Sequence, residues 1–167
     1  MHDPGYELRR GIDDRNDGVY ATRAFAAGDT VMLGVAGRPA AANHSHANQV
    51  GLAEWVFEDG LGPKVNHSCD PNCGVRFDAE VDGFDFVALT PIAAGDEITF
   101  DYAMRNLVIE HFPARCLCGA RNCRGTITGW RDLPAERKAA YGELVAPYLR
   151  ALDRELARDA TVATATA

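Results

Sequence analysis

Three of the five cysteines fall within eight residues, Cys116-Leu-Cys118-Gly-Ala-Arg-Asn-Cys123, and this run constrains the fold more than any other feature of the chain. A loop that short can aim three thiolates at one point, and Gly119 supplies the backbone freedom such a knuckle needs. Closed structural zinc sites are tetrahedral and often all-cysteine, so the run calls for a fourth ligand from elsewhere; Cys69 and Cys73 are the two candidates. A ligand taken from either position cross-links distant segments and makes metal binding part of folding. An odd number of cysteines without an export signal argues against a disulfide framework.

A chain of 167 residues fits one domain with its own core. Its 17 Lys and Arg against 24 Asp and Glu leave a formal charge of −7. That balance opposes a sequence-independent grip on phosphates, so no direct nucleic-acid partner is expected and a basic protein or peptide suits the surface better. The opening residues, from Met1 to Arg10, lack the apolar centre of a signal peptide, and no later run approaches a membrane span. A cytoplasmic protein without membrane association is expected, and nothing in the sequence points to a particular oligomeric state.

Gly18 to Val35 reads as short strands broken by the Ala26–Asp29 turn, and Gly37 to Gln49 as loop or weak helix. Val75-Arg76-Phe77 and Phe84 to Leu89 flank Asp82-Gly83, a dipeptide suited to a tight hairpin turn. Ile98, Phe100 and Tyr102 alternate and should share an inward face. From Leu133 on, Tyr141, Leu144, Val145, Tyr148, Leu149, Leu152 and Leu156 recur at helical spacing, with Pro147 expected to kink the helix or restart it. Residues Ala160 to Ala167 are expected to be disordered. His44 and His46 form a His-x-His pair read as solvated rather than metal-binding.

Taken with the cysteine run, Asn66-His67-Ser68-Cys69-Asp70-Pro71-Asn72 and Gly95-Asp96-Glu97-Ile98-Thr99-Phe100-Asp101-Tyr102 resemble the two signature segments of SET-domain methyltransferases. The run continuing into Arg124-Gly125 resembles the family's post-SET motif, and Gly18-Val19-Tyr20-Ala21 its N-terminal cofactor segment. The resemblance implies a mainly β protein of the β-clip SET fold, in which small curled sheets carry a pseudoknot-like crossing of the two signatures, an exception to un-knotted connectivity. A zinc-bound post-SET loop and a C-terminal α-helical tail complete it. The implied organisation is a SET domain over residues 6–102, a post-SET zinc-binding segment over 103–130, a helical extension over 131–158 and a disordered tail over 159–167.

The resemblance also implies function. It points to S-adenosylmethionine-dependent methyl transfer, with a protein lysine as acceptor and one structural zinc ion held by Cys69, Cys116, Cys118 and Cys123, leaving Cys73 a free thiol. Asn66 and His67, with Asp17, Gly18, Val19 and Tyr20, correspond to the cofactor-holding positions, and Leu117 to a contact with the adenine. Tyr102 matches the catalytic tyrosine; Phe100 matches a position where phenylalanine leaves room for more than one methyl group. The chain departs from the family at Asn16-Asp17-Gly18, with one glycine in place of two, and at Gly34-Val35-Ala36-Gly37, which lacks the usual tyrosine. Two further readings are a small-molecule methyltransferase and a non-catalytic, zinc-stabilised binding module.

Overall fold

The computed structural model describes residues 3–11, 17–42, 46–110 and 115–165, so Asn16 and His44 lie outside the described residues. Strands β1 (Tyr6–Arg9) and β2 (Gly18–Ala21) form an antiparallel pair. A turn in which the Asp29 carboxylate accepts from the Ala26 N–H at 2.8 Å leads into β3 (Thr30–Met32).

The stretch read as loop or weak helix is instead sheet. Strands β4 (Gly37–Ala40), β5 (Ala47–Gly51) and β6 (Glu54–Glu58) form a three-stranded antiparallel sheet in the order β4-β6-β5. The β-prone Trp55-Val56-Phe57 in the middle strand supplies partners to flanks rich in Gly, Pro and Asn, whose own propensity would not have made them strands.

Strands β7 (Asn66–His67), β8 (Cys73–Asp78), β9 (Gly83–Ala88) and β10 (Thr99–Phe100) join β3 in a five-stranded sheet ordered β3-β9-β8-β10-β7. The expected hairpin is β8–β9, its turn carried by Asp82 at φ 50°. Within this sheet β10 runs parallel to both neighbours, with Thr99 opposite Asn66, and Phe100 opposite His67 on one side and Cys73 on the other. The two signature segments therefore lie side by side. Asn72 fastens them further: its side chain donates to the Glu97 carbonyl at 2.8 Å and accepts from the Thr99 N–H at 2.9 Å.

Val19, Phe84, Phe86, Ile92, Ile98, Phe100 and Met104 form the buried centre, with Ile98 and Phe100 inward and Tyr102 half-buried at its edge. The C-terminal segment closes over it as a 3₁₀ turn (Trp130–Asp132), α1 (Ala135–Tyr141) and α2 (Pro147–Ala165). Pro147 opens α2, so proline restarts the helix at a position where a missing N–H does no harm. Gly74 permits the docking, since a Cβ there would stand 2.5 Å from that of Leu144, while the Val75 N–H donates to the Leu144 carbonyl at 3.0 Å. Of the stretch expected to be a disordered tail, residues 159–165 continue α2, and 166 and 167 lie outside the described residues. Among the described residues no helix is long and apolar enough to cross a membrane.

Candidate functional site

The sulfurs of Cys69, Cys116, Cys118 and Cys123 all lie within 4.8 Å of one another. Cys69 Sγ is 3.9 Å from that of Cys116 and 4.0 Å from that of Cys123. Four thiolates around one zinc at ordinary bond lengths stand about 3.8 Å apart, so the donor set and its spacing both fit the ion. Cys73, the alternative fourth ligand by spacing, is instead a core residue facing Phe100, and burial pushes its thiol up to about 12. Without a cation the cluster is electrostatically awkward. Burial raises Cys69 to about 11 and Cys116 higher still. At Cys118 burial acts in the same sense, but hydrogen bonds from backbone and neighbouring thiols outweigh it and bring the group down to about 7. A divalent ion removes the conflict by stabilising every thiolate together.

Beside this cluster the parallel strands bring Asn66, His67, Phe100 and Tyr102 together. The Asn66 amide donates to the Asp17 carbonyl at 3.2 Å and to Glu97 Oε1 at 2.7 Å. Gly18 lies in the same corner, where a Cβ would stand 2.5 Å from Glu97 Oε1 and 3.0 Å from the Asn66 amide nitrogen. Its missing side chain is what lets Asp17 and β2 approach Asn66. Val19 is buried and its carbonyl accepts from the Ile98 N–H at 2.8 Å; Tyr20 bridges Glu97 across the strands. Leu117, between two cluster cysteines, is 48% exposed.

Phe100 is fully buried, its ring 5.0 Å from that of Tyr102 and 5.2 Å from that of Phe86. Tyr102 donates its hydroxyl to the Val65 carbonyl at 3.2 Å. Burial, partly offset by the Arg105 guanidinium, holds its phenol up at about 12, so it is a neutral donor at physiological pH. The guanidinium carbon of Arg105 sits 4.8 Å over the Phe100 ring, an arrangement of cation on aromatic face.

Four residues that sequence reasoning left out of the site belong to its framework: Glu97, Asp101, Arg124 and Tyr141. Asp101 is 0% exposed and accepts from Arg124 Nη1 at 2.6 Å and Nη2 at 3.0 Å, from the Tyr141 hydroxyl at 2.8 Å and from the Ala103 N–H at 3.1 Å. Arg124 also donates its backbone N–H to Cys69 Sγ at 3.4 Å. Glu97 and Asp101 lie inside the second signature and Arg124 directly follows Cys123, so adjacency to motifs was the available signal. Tyr141 carried none beyond its place in an apolar stripe.

Curled sheets that set two short signature strands in parallel beneath a four-cysteine knuckle define a small β-rich protein whose site is assembled by crossing segments. The chain belongs to the SET-domain family: the model of that family, described as "SET domain", matches residues 16–103, more than half of its 167 residues. It is 39% identical over 69 residues, 40% of this chain, to a histone-lysine N-methyltransferase, H3 lysine-4 specific, of Saccharomyces cerevisiae. It is 44% identical over 71 residues, 41% of this chain, to the histone-lysine N-methyltransferase Set2 of Drosophila melanogaster. Human histone-lysine N-methyltransferase SUV39H2 is 40% identical over 80 residues, 36% of this chain. The chain spans only 6%, 3% and 19% of these relatives. A crystal structure of KRYPTONITE in complex with mCHH DNA, H3(1-15) peptide and SAH shares the fold, with TM-score 0.59 and 24% identity over 73% of this chain and 29% of that one.

Proposed function

We propose that this chain is an S-adenosylmethionine-dependent protein-lysine N-methyltransferase that acts in the cytoplasm on a lysine of a basic protein or peptide. The observation that carries the reading is the parallel register that sets Asn66 and His67 beside Thr99 and Phe100, with Tyr102 immediately beyond. The family membership and the names of the relatives support the reaction class, and the charge of −7 supports a basic partner over direct contact with nucleic acid.

Bound S-adenosylmethionine supplies a methyl group on a sulfonium, whose bonding pair returns to sulfur as the lysine nitrogen's lone pair forms the new bond. Asp17, Gly18, Val19 and Tyr20, with Asn66 and His67, would hold that cofactor, and Leu117 would cover its adenine. Positioning in a closed site is then the chief task of the chain. The neutral Tyr102 hydroxyl orients the incoming amine and does not take its proton, which leaves to water before transfer. Phe100, with no hydroxyl of its own, leaves room for a nitrogen that already carries a methyl group. One zinc ion on Cys69, Cys116, Cys118 and Cys123 would hold the knuckle against the first signature.

The test is transfer of a labelled methyl group from S-adenosylmethionine to a lysine-rich protein such as histone H3. Transfer reduced at least about hundredfold in Tyr102→Phe, with cofactor binding by calorimetry retained, is the expected result. Absence of cofactor binding to the zinc-loaded wild type would overturn the reading.

A further inference from the structure

Four donors converge on the buried Asp101 carboxylate, and they come from three regions far apart in the chain: Arg124 from the cysteine knuckle, Tyr141 from the end of α1, and Ala103 from the turn that carries Tyr102. A carboxylate excluded from water requires such partners, because an unpaired buried charge is strongly unfavourable. Asp101 precedes Tyr102 and caps the 3₁₀ turn Tyr102–Met104 through the Ala103 N–H, so its position sets the backbone on both sides of that tyrosine. Arg124 is tied to the knuckle from the other side: it follows Cys123, and its N–H donates to Cys69 Sγ.

We infer that Arg124 is a positioning residue for Tyr102: closure of the four-cysteine knuckle delivers its guanidinium to Asp101, and the clamped carboxylate fixes the turn that presents the Tyr102 hydroxyl. The inference rests on the role proposed for Tyr102 above. Tyr141 makes α1 a third member of the device, so the knuckle, the C-terminal segment and the reacting tyrosine assemble as a unit. Lysine at position 124 would keep the charge and lose the two-pronged geometry that locks the carboxylate in one orientation.

The test compares Arg124→Lys with wild type in zinc content, cofactor Kd, kcat and the 13C resonance of the Tyr102 ring in tyrosine-labelled protein. Zinc content unchanged, cofactor Kd within about threefold, a displaced Tyr102 resonance and kcat lower by about tenfold are expected. In a Tyr102→Phe background the same substitution should cost less than about twofold further, because both changes act through one hydroxyl. An unmoved ring resonance, or losses that multiply independently, would overturn the inference. Should Arg124→Lys fail to fold, Tyr141→Phe removes one donor, keeps the ion pair and is read the same way, with an expected loss of about threefold. If wild type transfers no methyl group, the proposed activity fails, while the ring resonance still decides whether the clamp positions Tyr102.

Discussion

The backbone N–H of Tyr102 donates to Nδ1 of His67 at 3.2 Å, and the two rings meet edge to face with centroids 5.2 Å apart. A ring nitrogen that accepts a hydrogen bond carries no proton in the neutral imidazole, so the His67 proton sits on Nε2, which lies 3.4 Å from Cys69 Sγ. Burial, only partly offset by Asp101, pushes His67 down to about 4, so the ring is neutral at physiological pH. One imidazole thus spans the cysteine cluster and the tyrosine.

Replacing His67 by Phe keeps an aromatic ring, a somewhat larger one, and leaves the Tyr102 N–H without its acceptor. A loss of about 1–3 kcal/mol in urea unfolding at pH 7 is expected, together with slower methyl transfer. A variant as stable and as active as wild type would show that the imidazole only fills space.

Zinc content separates the two cysteines that spacing alone left equivalent. Purified protein should hold one equivalent by elemental analysis, and Cys69→Ser or Cys116→Ser should lose it and lower Tm by at least about 5 °C. Cys73→Ala should keep the metal and lose only about 1 kcal/mol of packing. Metal retained in Cys69→Ser would refute the four-cysteine assignment.

At Phe100 the ring is enclosed by Phe86, Tyr102 and the Arg105 guanidinium. Phe100→Tyr would put a hydroxyl into the room that the phenylalanine leaves for the acceptor nitrogen and should change stability by less than about 1 kcal/mol. It should also shift the product, read by mass spectrometry, from multiply methylated lysine toward the monomethyl form. An unchanged product distribution would remove Phe100 from the acceptor pocket.

The raised Tyr102 value fixes a pH window. The folded phenol titrates near 12 against about 10 in the unfolded chain. Below pH 10 both states hold the proton and the contribution is constant. Between about 10 and 12 only the unfolded state ionises, so stability falls as pH rises through that interval, by up to about 2 kcal/mol. Chemical unfolding in wild type and Tyr102→Phe should diverge only above about pH 10. Equal slopes there would mean that the phenol is not protected by burial.

Local signals were legible where the controlling interaction is itself local. Asp82-Gly83 announces its turn because few residues accept positive φ, and Pro147 marks a helix start because it lacks the N–H that an interior turn requires. The strands at Gly37–Ala40 and Ala47–Gly51 were not legible, since their Gly, Pro and Asn content argues against sheet and only pairing with Glu54–Glu58 makes them one. The helical continuation over 159–165 was not legible either, since it extends turns already anchored by Leu149.

By itself the sequence determined the knuckle, because Cys116, Cys118 and Cys123 are bound by a loop too short to separate them, and it carried the two signature segments in order. Only the tertiary structure shows Cys69 turned toward that knuckle and Cys73 set in the core, because the three residues between them carry the chain from the β7 side of β10 to β8 on its other side. It alone decided, too, that Asp101, Arg124 and Tyr141 meet. A buried carboxylate recruits whatever donors the packed chain brings within about 3 Å, and no spacing along the sequence encodes that encounter.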